Sequence, residues 1–241
     1  MLHFFATLIR KLLKLAIALV LLVAFAALAF CGVSGYAVYH EATADRPLEQ
    51  AVAEVQQKPS YTPLDQVPQI YIDAVIATED HRFYDHHGFD VIGTGRALVR
   101  NALSGELQEG GSTISQQVAR TLYYEQTQSL SRKVAELITS FQLERHYTKD
   151  EILALYLNSI YYGDGYYSLA EASWGYFGVP PSGMTNGQAT LLAGVPNAPS
   201  VYAPTVNLEL ARQRQQHVLA RMVDAGYLDE TSAEAIYNEG I

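Results

Sequence analysis

An apolar segment near the N-terminus constrains this chain more than any other feature. Residues 15–39 contain no charged side chain, and a bilayer core about 30 Å thick is crossed by about 20 helical residues. We therefore predict a single transmembrane helix over this segment. Whatever follows it must fold as a domain attached to a membrane.

The flanking charges predict the orientation of that helix. Arg10, Lys11 and Lys14 precede it, whereas Glu41 and Asp45 are the first charged residues after it. Lys and Arg are enriched on the cytoplasmic side of membrane spans. We therefore expect the N-terminus in the cytoplasm and the domain on the opposite side.

Two other interpretations of the segment are less well supported. A cleaved signal peptide through residues 27–29 would need a shorter apolar core. Lipidation at Cys31 would need a small residue before it, where the chain has the bulky Phe30. Cys31 is also the only cysteine, which excludes an intrachain disulfide and a cysteine-based zinc site.

The sequence divides into four predicted parts. We expect a cytoplasmic N-terminus over residues 1–14, the transmembrane helix over 15–39, a polar, proline-punctuated stalk over 40–59 and a folded domain over 60–241. Of 16 basic side chains, three precede residue 15, while all 25 acidic ones follow it. So acidic a domain is unsuited to nucleic acid. It would need a local cluster of cations to hold an anionic substrate.

Helix-start signals recur through the domain. Threonine followed three residues later by Glu or Gln, the capping-box pattern, occurs at Thr148, Thr185 and Thr231. Strand-like alternation is scarce. We therefore predict a mainly α-helical domain.

The most densely ionisable segment begins at Glu79. Apolar residues recur at helical spacing over 70–77, so Glu79 and Asp80 should lie at the end of a buried helix. A partly desolvated carboxylate in such a fixed position suits a general base. A solvated surface turn is the alternative. His86 and His87 fit loop hydrogen bonding better than a metal site, because adjacent residues point in different directions.

A glycine hinge precedes a second polar segment, residues 110–120. Its helix start carries Ser112 and Thr113, whose hydroxyls could join free backbone amides in binding an anion, and Arg120 follows two turns later. The alternative is a capped helix without a ligand.

A third cluster, Arg132, Lys133 and Glu136, shares one face of a predicted helix. The apolar stripe of that helix, Val134, Ile138 and Phe141, lies on another face. Taken alone, such a cluster is typical of a solvated ion-pair surface.

Together these segments resemble the peptidoglycan glycosyltransferases, the lipid II polymerases that occur alone or fused to penicillin-binding transpeptidases. The second motif of the family resembles residues 110–117 followed by Arg120, and the third is similar to Arg132-Lys133-x-x-Glu136. Longer similarities cover 149–178 and 191–222. The first motif matches at Glu79, Asp80, Phe83, His86, Gly88 and Asp90.

This resemblance implies a lysozyme-like α-helical fold and polymerisation of lipid II by inverting glycosyl transfer, with release of undecaprenyl pyrophosphate. Glu79 would be the general base and Glu136 the second essential carboxylate. The implied substrate and pyrophosphate contacts are Asp80, Phe83, His86, Gly88, Ser112, Thr113, Gln116, Gln117, Arg120, Arg132, Lys133 and Asn158.

The resemblance also implies a setting in cell-wall synthesis. It allows a divalent metal, Mg²⁺ or Mn²⁺, at Glu136 and no organic cofactor. The implied partners are lipid II, the growing glycan strand, the membrane and other cell-wall synthesis proteins. The implied location is the bacterial inner membrane, with the catalytic domain on the periplasmic side. Ser-x-x-Lys and Lys-Thr-Gly do not occur, so we expect a monofunctional enzyme without a transpeptidase domain.

Several positions depart from the family pattern. Gln128 stands where many members carry an arginine, and Ala135 where some carry a lysine. The first change removes one phosphate contact. Residues 91–107 should dip into the membrane interface to admit the substrate lipid.

Two other functions fit parts of the sequence. A lytic transglycosylase or muramidase would use Glu79 as an acid, and it would release muropeptides from sacculi. A catalytically weak scaffold would bind lipid II without turning it over.

Overall fold

A computed structural model describes residues 2–104, 111–124 and 129–241. Gln128 and Leu107 lie outside these ranges. Within them the chain is helical, with a few 3-10 turns and no strand, which confirms the predicted mainly α class. The helices are α1 (Leu2–Ala44), α2 (Leu48–Gln56), α3 (Gln69–Glu79), α4 (Val91–Ser104), α5 (Ile114–Tyr123), α6 (Leu130–His146), α7 (Lys149–Leu157), α8 (Leu169–Phe177), α9 (Asn186–Gly194), α10 (Pro199–Tyr202), α11 (Leu208–Asp224) and α12 (Glu230–Asn238).

Helix α1 contains the predicted membrane span. Its part Arg10–Ala44 reaches a mean hydropathy of 2.8 and is long and apolar enough to cross a membrane. The helix extends beyond the predicted end at residue 39 and continues unbroken to Ala44. A bilayer core needs about 20 helical residues, so part of α1 is available to contact the domain, and it packs along α6.

Residues 40–59 do not form the predicted stalk. Ala51, Val52 and Val55 of α2 are buried in the domain core. Their i, i+1, i+4 spacing gives α2 one apolar face. The preceding segment is also fixed, because Arg46 Nη1 donates to the Leu122 carbonyl oxygen at 2.6 Å.

Helix α3 is central to the domain. It packs against α9 and α11, while α5 packs against α6 and α7. From Tyr71 to Ala77 only Asp73 escapes full burial. Because α3 is enclosed by its neighbours, its last residue, Glu79, has a fixed position.

The capping signals are partly confirmed. Thr148 and Thr185 each form a complete capping box. The prediction at Thr231 is wrong, since α12 begins at Glu230 and its N-cap is Asp229, which accepts from the Ser232 amide at 2.7 Å. Aspartate outranks threonine as an N-cap, and here it stands two residues earlier.

Asn158 joins the start of the domain to α7. It is fully buried. Its Oδ1 accepts from the Thr62 amide at 2.7 Å, and its Nδ2 donates to the Thr62 and Ala154 carbonyl oxygens, each at 2.8 Å. These bonds engage both ends of the side-chain amide.

We expect Asn158→Ala to lower the free energy of unfolding by about 2–4 kcal/mol, because the buried backbone groups of Thr62 would lose their partners. Denaturant unfolding of the detergent-solubilised protein measures this. The exposed Asn238→Ala is the matched control. A loss at position 158 no larger than the control would contradict the prediction.

Candidate active site

Glu79 lies at the rim of a cleft between α3, α4, α5 and α11. Its side chain is half-buried, and Gln117 Nε2 donates to Glu79 Oε2 at 2.8 Å. Both residues line the cleft. The structure therefore brings together one residue from each of the first two predicted motifs.

Asp80, the residue after Glu79, anchors the end of α3 within the protein. Its carboxylate accepts from the Ile114 amide at 3.0 Å and lies 2.9 Å from His86 Nε2. Both Asp80 and His86 are buried. These contacts hold the end of α3 against the start of α5. The predicted substrate contacts at Asp80 and His86 thus fall on side chains engaged within the protein.

Phe83 and Gly88 also belong to the supporting loop. Phe83 is fully buried, and Lys149 Nζ lies 4.3 Å from the centre of its ring. Gly88 has φ 81°, and a Cβ there would lie 3.2 Å from the Ser140 carbonyl oxygen. Only glycine suits that backbone conformation and that spacing.

The start of α5 is capped, and several of its backbone amides already have hydrogen-bond partners within the protein. The Thr113 amide donates to Gln116 Oε1, and the Gln116 amide donates to Thr113 Oγ1. The Ile114 amide is taken by Asp80. Three amides of this helix start are therefore already used within the protein. The predicted anion site remains a prediction that rests on Ser112 and Arg120, which line the cleft.

Glu136 is the centre of a buried ionic cluster on α6. The side chain is 2% exposed, with Arg132 Nε at 3.1 Å and Lys133 Nζ at 3.0 Å from its two oxygens. Lys133 Nζ also donates to Ser112 Oγ at 2.7 Å. This hydrogen bond links the ionic cluster to the cleft.

The buried face of α6 differs from the predicted one. The residues that α6 buries include Glu136, Thr139 and Ser140, whereas Phe141 of the predicted apolar stripe is 47% exposed. Helix α6 contacts both α1 and α5. The side that carries Glu136 faces inward with Arg132 beside it, whereas the Lys133 side chain is 45% exposed and reaches Ser112 with its Nζ.

The donor set around Glu136 does not fit a metal ion. Arg132 and Lys133 already contact both carboxylate oxygens. In the part of the chain that the structure describes, no three His, Cys, Asp or Glu side chains form a group that could hold a metal. Glu136 is placed to organise cationic side chains.

Two residues that line the cleft, Arg96 of α4 and Arg214 of α11, are not among the site residues predicted from the sequence. The Nε atom of each is buried and, within the described ranges, has no hydrogen-bond partner. Burial lowers the pKa of the Arg214 guanidinium, an effect that the negative charge of Glu79 opposes. Two cations thus line the same cleft as the candidate base.

A glycine makes room for Arg214. A Cβ on Gly194 would lie 2.8 Å from Arg214 Cγ, so glycine lets α9 and the arginine approach closely. Both residues fall in the segment 191–222 that resembles the family. More than 100 positions separate Arg214 from Glu79, so no local spacing could relate them.

His81 is held beside Arg96. Arg96 Nη2 and His81 Nδ1 are 3.1 Å apart. Burial first, and then the charges of Arg96 and Arg221, lower the pKa of His81. A neutral imidazole can accept the hydrogen bond from Arg96 at Nδ1. The pair connects α4 to the loop that follows Glu79.

The start of α4 is apolar and exposed. Val91 is 71% exposed and Ile92 is 61% exposed, while Arg96 on the same helix lines the cleft. Such a helix start is compatible with the predicted dip into the membrane interface.

Asn158 is not among the residues that line the cleft. The other predicted residues outside its lining are Phe83, His86, Gly88, Gln116, Arg132, Lys133 and Glu136. Those that do line it are Glu79, Asp80, Ser112, Thr113, Gln117 and Arg120.

Known proteins resemble this chain over most of the domain. The transglycosylase family model matches residues 45–223. Penicillin-binding protein 1A of Neisseria flavescens is 43% identical over 173 residues, which cover 72% of this chain and 22% of that protein. Penicillin-binding protein 1A/1B of Bacillus subtilis is 42% identical over 197 residues, 79% of this chain and 22% of that protein.

A shorter relative matches over most of its own length. A Cupriavidus necator protein, provisionally named a transglycosylase, is 44% identical over 180 residues, which cover 75% of this chain and 78% of that protein. A crystal structure of penicillin-binding protein 1A from Haemophilus influenzae aligns with a TM-score of 0.45 and 25% identity, over 75% of this chain and 17% of that one. The chain thus spans about a fifth of the penicillin-binding proteins that it matches. With the family model covering most of its residues, the chain belongs to the transglycosylase family.

Proposed function

We propose that the protein polymerises lipid II into peptidoglycan glycan strands. The observation that carries this proposal is a half-buried carboxylate, Glu79, fixed by Gln117 in a cleft with arginines on two sides. The family match supports the same activity. A hydrolase would have little use for so many cations, whereas a transferase that releases pyrophosphate needs them.

Glu79 acts as the general base on the acceptor sugar. It removes the proton from the acceptor hydroxyl, whose oxygen then attacks the anomeric carbon of the donor and forms the new glycosidic bond. The bond from that carbon to the pyrophosphate oxygen breaks, and the electron pair leaves with the pyrophosphate. Inversion at the anomeric carbon follows from this single displacement.

Cations stabilise the leaving pyrophosphate. Arg120 lines the cleft, and Lys133 reaches it through Ser112. Glu136 holds Arg132 and Lys133 in fixed positions from within the domain. Charges that are already in place when the pyrophosphate departs lower the barrier without a cost of rearrangement. No step in this mechanism requires a metal ion.

The membrane gives the enzyme access to its substrate, because the polyprenyl chain of lipid II stays in the bilayer. The basic residues Arg10, Lys11 and Lys14 favour a cytoplasmic N-terminus. The active site then lies on the outer face of the cytoplasmic membrane.

The test is polymerisation of labelled lipid II by the detergent-solubilised full chain. Glycan strands that a muramidase degrades are the expected product. Soluble muropeptides released from intact sacculi, without polymer from lipid II, would show a lytic enzyme. Binding of lipid II without turnover would show a scaffold. Either result would overturn the proposal.

A further inference from the structure

Helix α1 touches the domain at a glycine. Gly35 is buried, although it lies within the predicted membrane span. A Cβ built on Gly35 would overlap Cβ and Cγ1 of Val134 and would lie 3.0 Å from the Ser131 carbonyl oxygen. Because these distances are so short, α1 and α6 can meet here only if residue 35 has no side chain.

The contact lies directly behind the ionic cluster. Residues two positions apart on an α-helix point about 200° apart around its axis. Arg132 and Glu136 each lie two positions from Val134, so they face away from α1. Any displacement of α6 by α1 therefore also moves Arg132 and Glu136, together with Lys133, which donates to Ser112 of the cleft.

A second junction fixes the end of α1 to α5. Arg46 Nη1 donates to the Leu122 carbonyl oxygen, and Tyr123 Oη donates to the Arg46 carbonyl oxygen at 2.9 Å. Helix α5 carries Gln117 and Arg120 on its cleft side. The membrane helix contacts α6, and Arg46, two residues beyond its end, contacts α5, so the two helices that supply the predicted pyrophosphate ligands are both held near this helix.

We infer that Gly35 is a positioning residue for the pyrophosphate site, and that α1 supports α6 from the side opposite the ionic cluster as well as anchoring the protein. The close crossing at Gly35 sets where Arg132 and Lys133 stand relative to Ser112. This inference rests on the proposed function, since it assumes that these cations hold a prenyl pyrophosphate.

The experiment exchanges side chains across the crossing in the full-length protein. Gly35→Val introduces the overlap, and Val134→Gly removes the two side-chain atoms that the new Cβ would overlap, leaving only the Ser131 carbonyl oxygen at 3.0 Å. Gly32→Val is the matched control, because Gly32 is exposed on the same helix with nothing within 4 Å of a Cβ. The measured quantity is the Kd for undecaprenyl pyrophosphate in detergent micelles, with polymerisation measured alongside.

We expect Gly35→Val to weaken undecaprenyl pyrophosphate binding by about 10- to 100-fold, as misplaced ligand groups do. Gly32→Val should stay within about twofold of the wild type, as expected for a substitution that meets no other atoms. The double variant Gly35→Val/Val134→Gly should recover most of the binding. Recovery would show that the loss came from this crossing and not from general misfolding.

Three outcomes overturn the inference: unchanged binding in Gly35→Val, an equal loss in Gly32→Val, or a loss that Val134→Gly does not reverse. A wild type that binds no undecaprenyl pyrophosphate also overturns it. A wild type that binds the pyrophosphate and shows the rescue pattern, yet makes no polymer, supports the inference and refutes the proposed function.

Discussion

Glu79→Gln should abolish most of the polymerase activity while leaving the fold intact. The amide keeps the size of the carboxylate and its contact with Gln117, but it cannot take a proton from the acceptor hydroxyl. General base catalysis contributes about 10²–10⁴-fold to a rate, so we expect the rate of glycan synthesis to fall by that factor. Lipid II binding should change little, because no cation in the cleft is removed.

A matched control distinguishes the loss of a general base from the loss of one negative charge on α3. Asp73 is on the same helix, where it accepts a hydrogen bond from Gln69 at 2.9 Å in an exposed position. Asp73→Asn removes one negative charge from α3 at a distance from the cleft, and it should polymerise at the wild-type rate. Glu79→Gln with activity near that of Asp73→Asn would exclude Glu79 as the base.

The sequence was most informative where function and structure depend on local order. The helical spacing over 70–77 predicted a buried helix that ends at Glu79, and the structure confirms it. Thr148 and Thr185 marked helix starts because a capping box involves only four consecutive residues. These features need no knowledge of the tertiary contacts.

The features that the sequence did not predict depend on tertiary contacts. The sequence of α6 presents an apolar stripe through Val134 and Phe141, yet α6 turns Glu136 toward the domain because α1 covers another side. Residues 40–59 read as a polar stalk, because three buried residues on α2 are too few to reveal an amphipathic helix. Arg214 reaches Glu79 from a helix far along the chain, and Gly194 permits it.

Two residues of one sequence motif can have different roles in the structure. Gln116 and Gln117 are adjacent in one motif, but Gln116 completes a capping box while Gln117 holds Glu79. Asn158 lies in a segment that resembles the family, but its side-chain amide forms hydrogen bonds with Thr62 and Ala154 within the protein. Substitution of such residues would reduce activity through the fold.

Glu136→Gln should reduce polymerisation nearly as strongly as loss of the base, for a different reason. The carboxylate holds Arg132 and Lys133 at 3.1 and 3.0 Å, and a neutral amide would release both cations from their fixed positions. Loss of a preorganised electrostatic contact costs about 10²–10³-fold in rate. We expect a loss of that size in kcat/KM for lipid II.

Stability alone could produce a similar loss, and α6 supplies the control that distinguishes the two causes. Glu144 is a second buried, paired glutamate on this helix, 2.7 Å from Lys149 Nζ and 2.5 Å from Ser115 Oγ, two turns beyond Glu136. Removing a charged hydrogen-bond partner costs about 1–3 kcal/mol, so Glu136→Gln and Glu144→Gln should lower the free energy of unfolding by similar amounts. Only the first should lose kcat/KM at temperatures where both variants are folded. Equal kinetic losses in the two variants would mean that Glu136 serves the fold and not the pyrophosphate, and stabilisation of the leaving pyrophosphate would then rest on Arg120 alone.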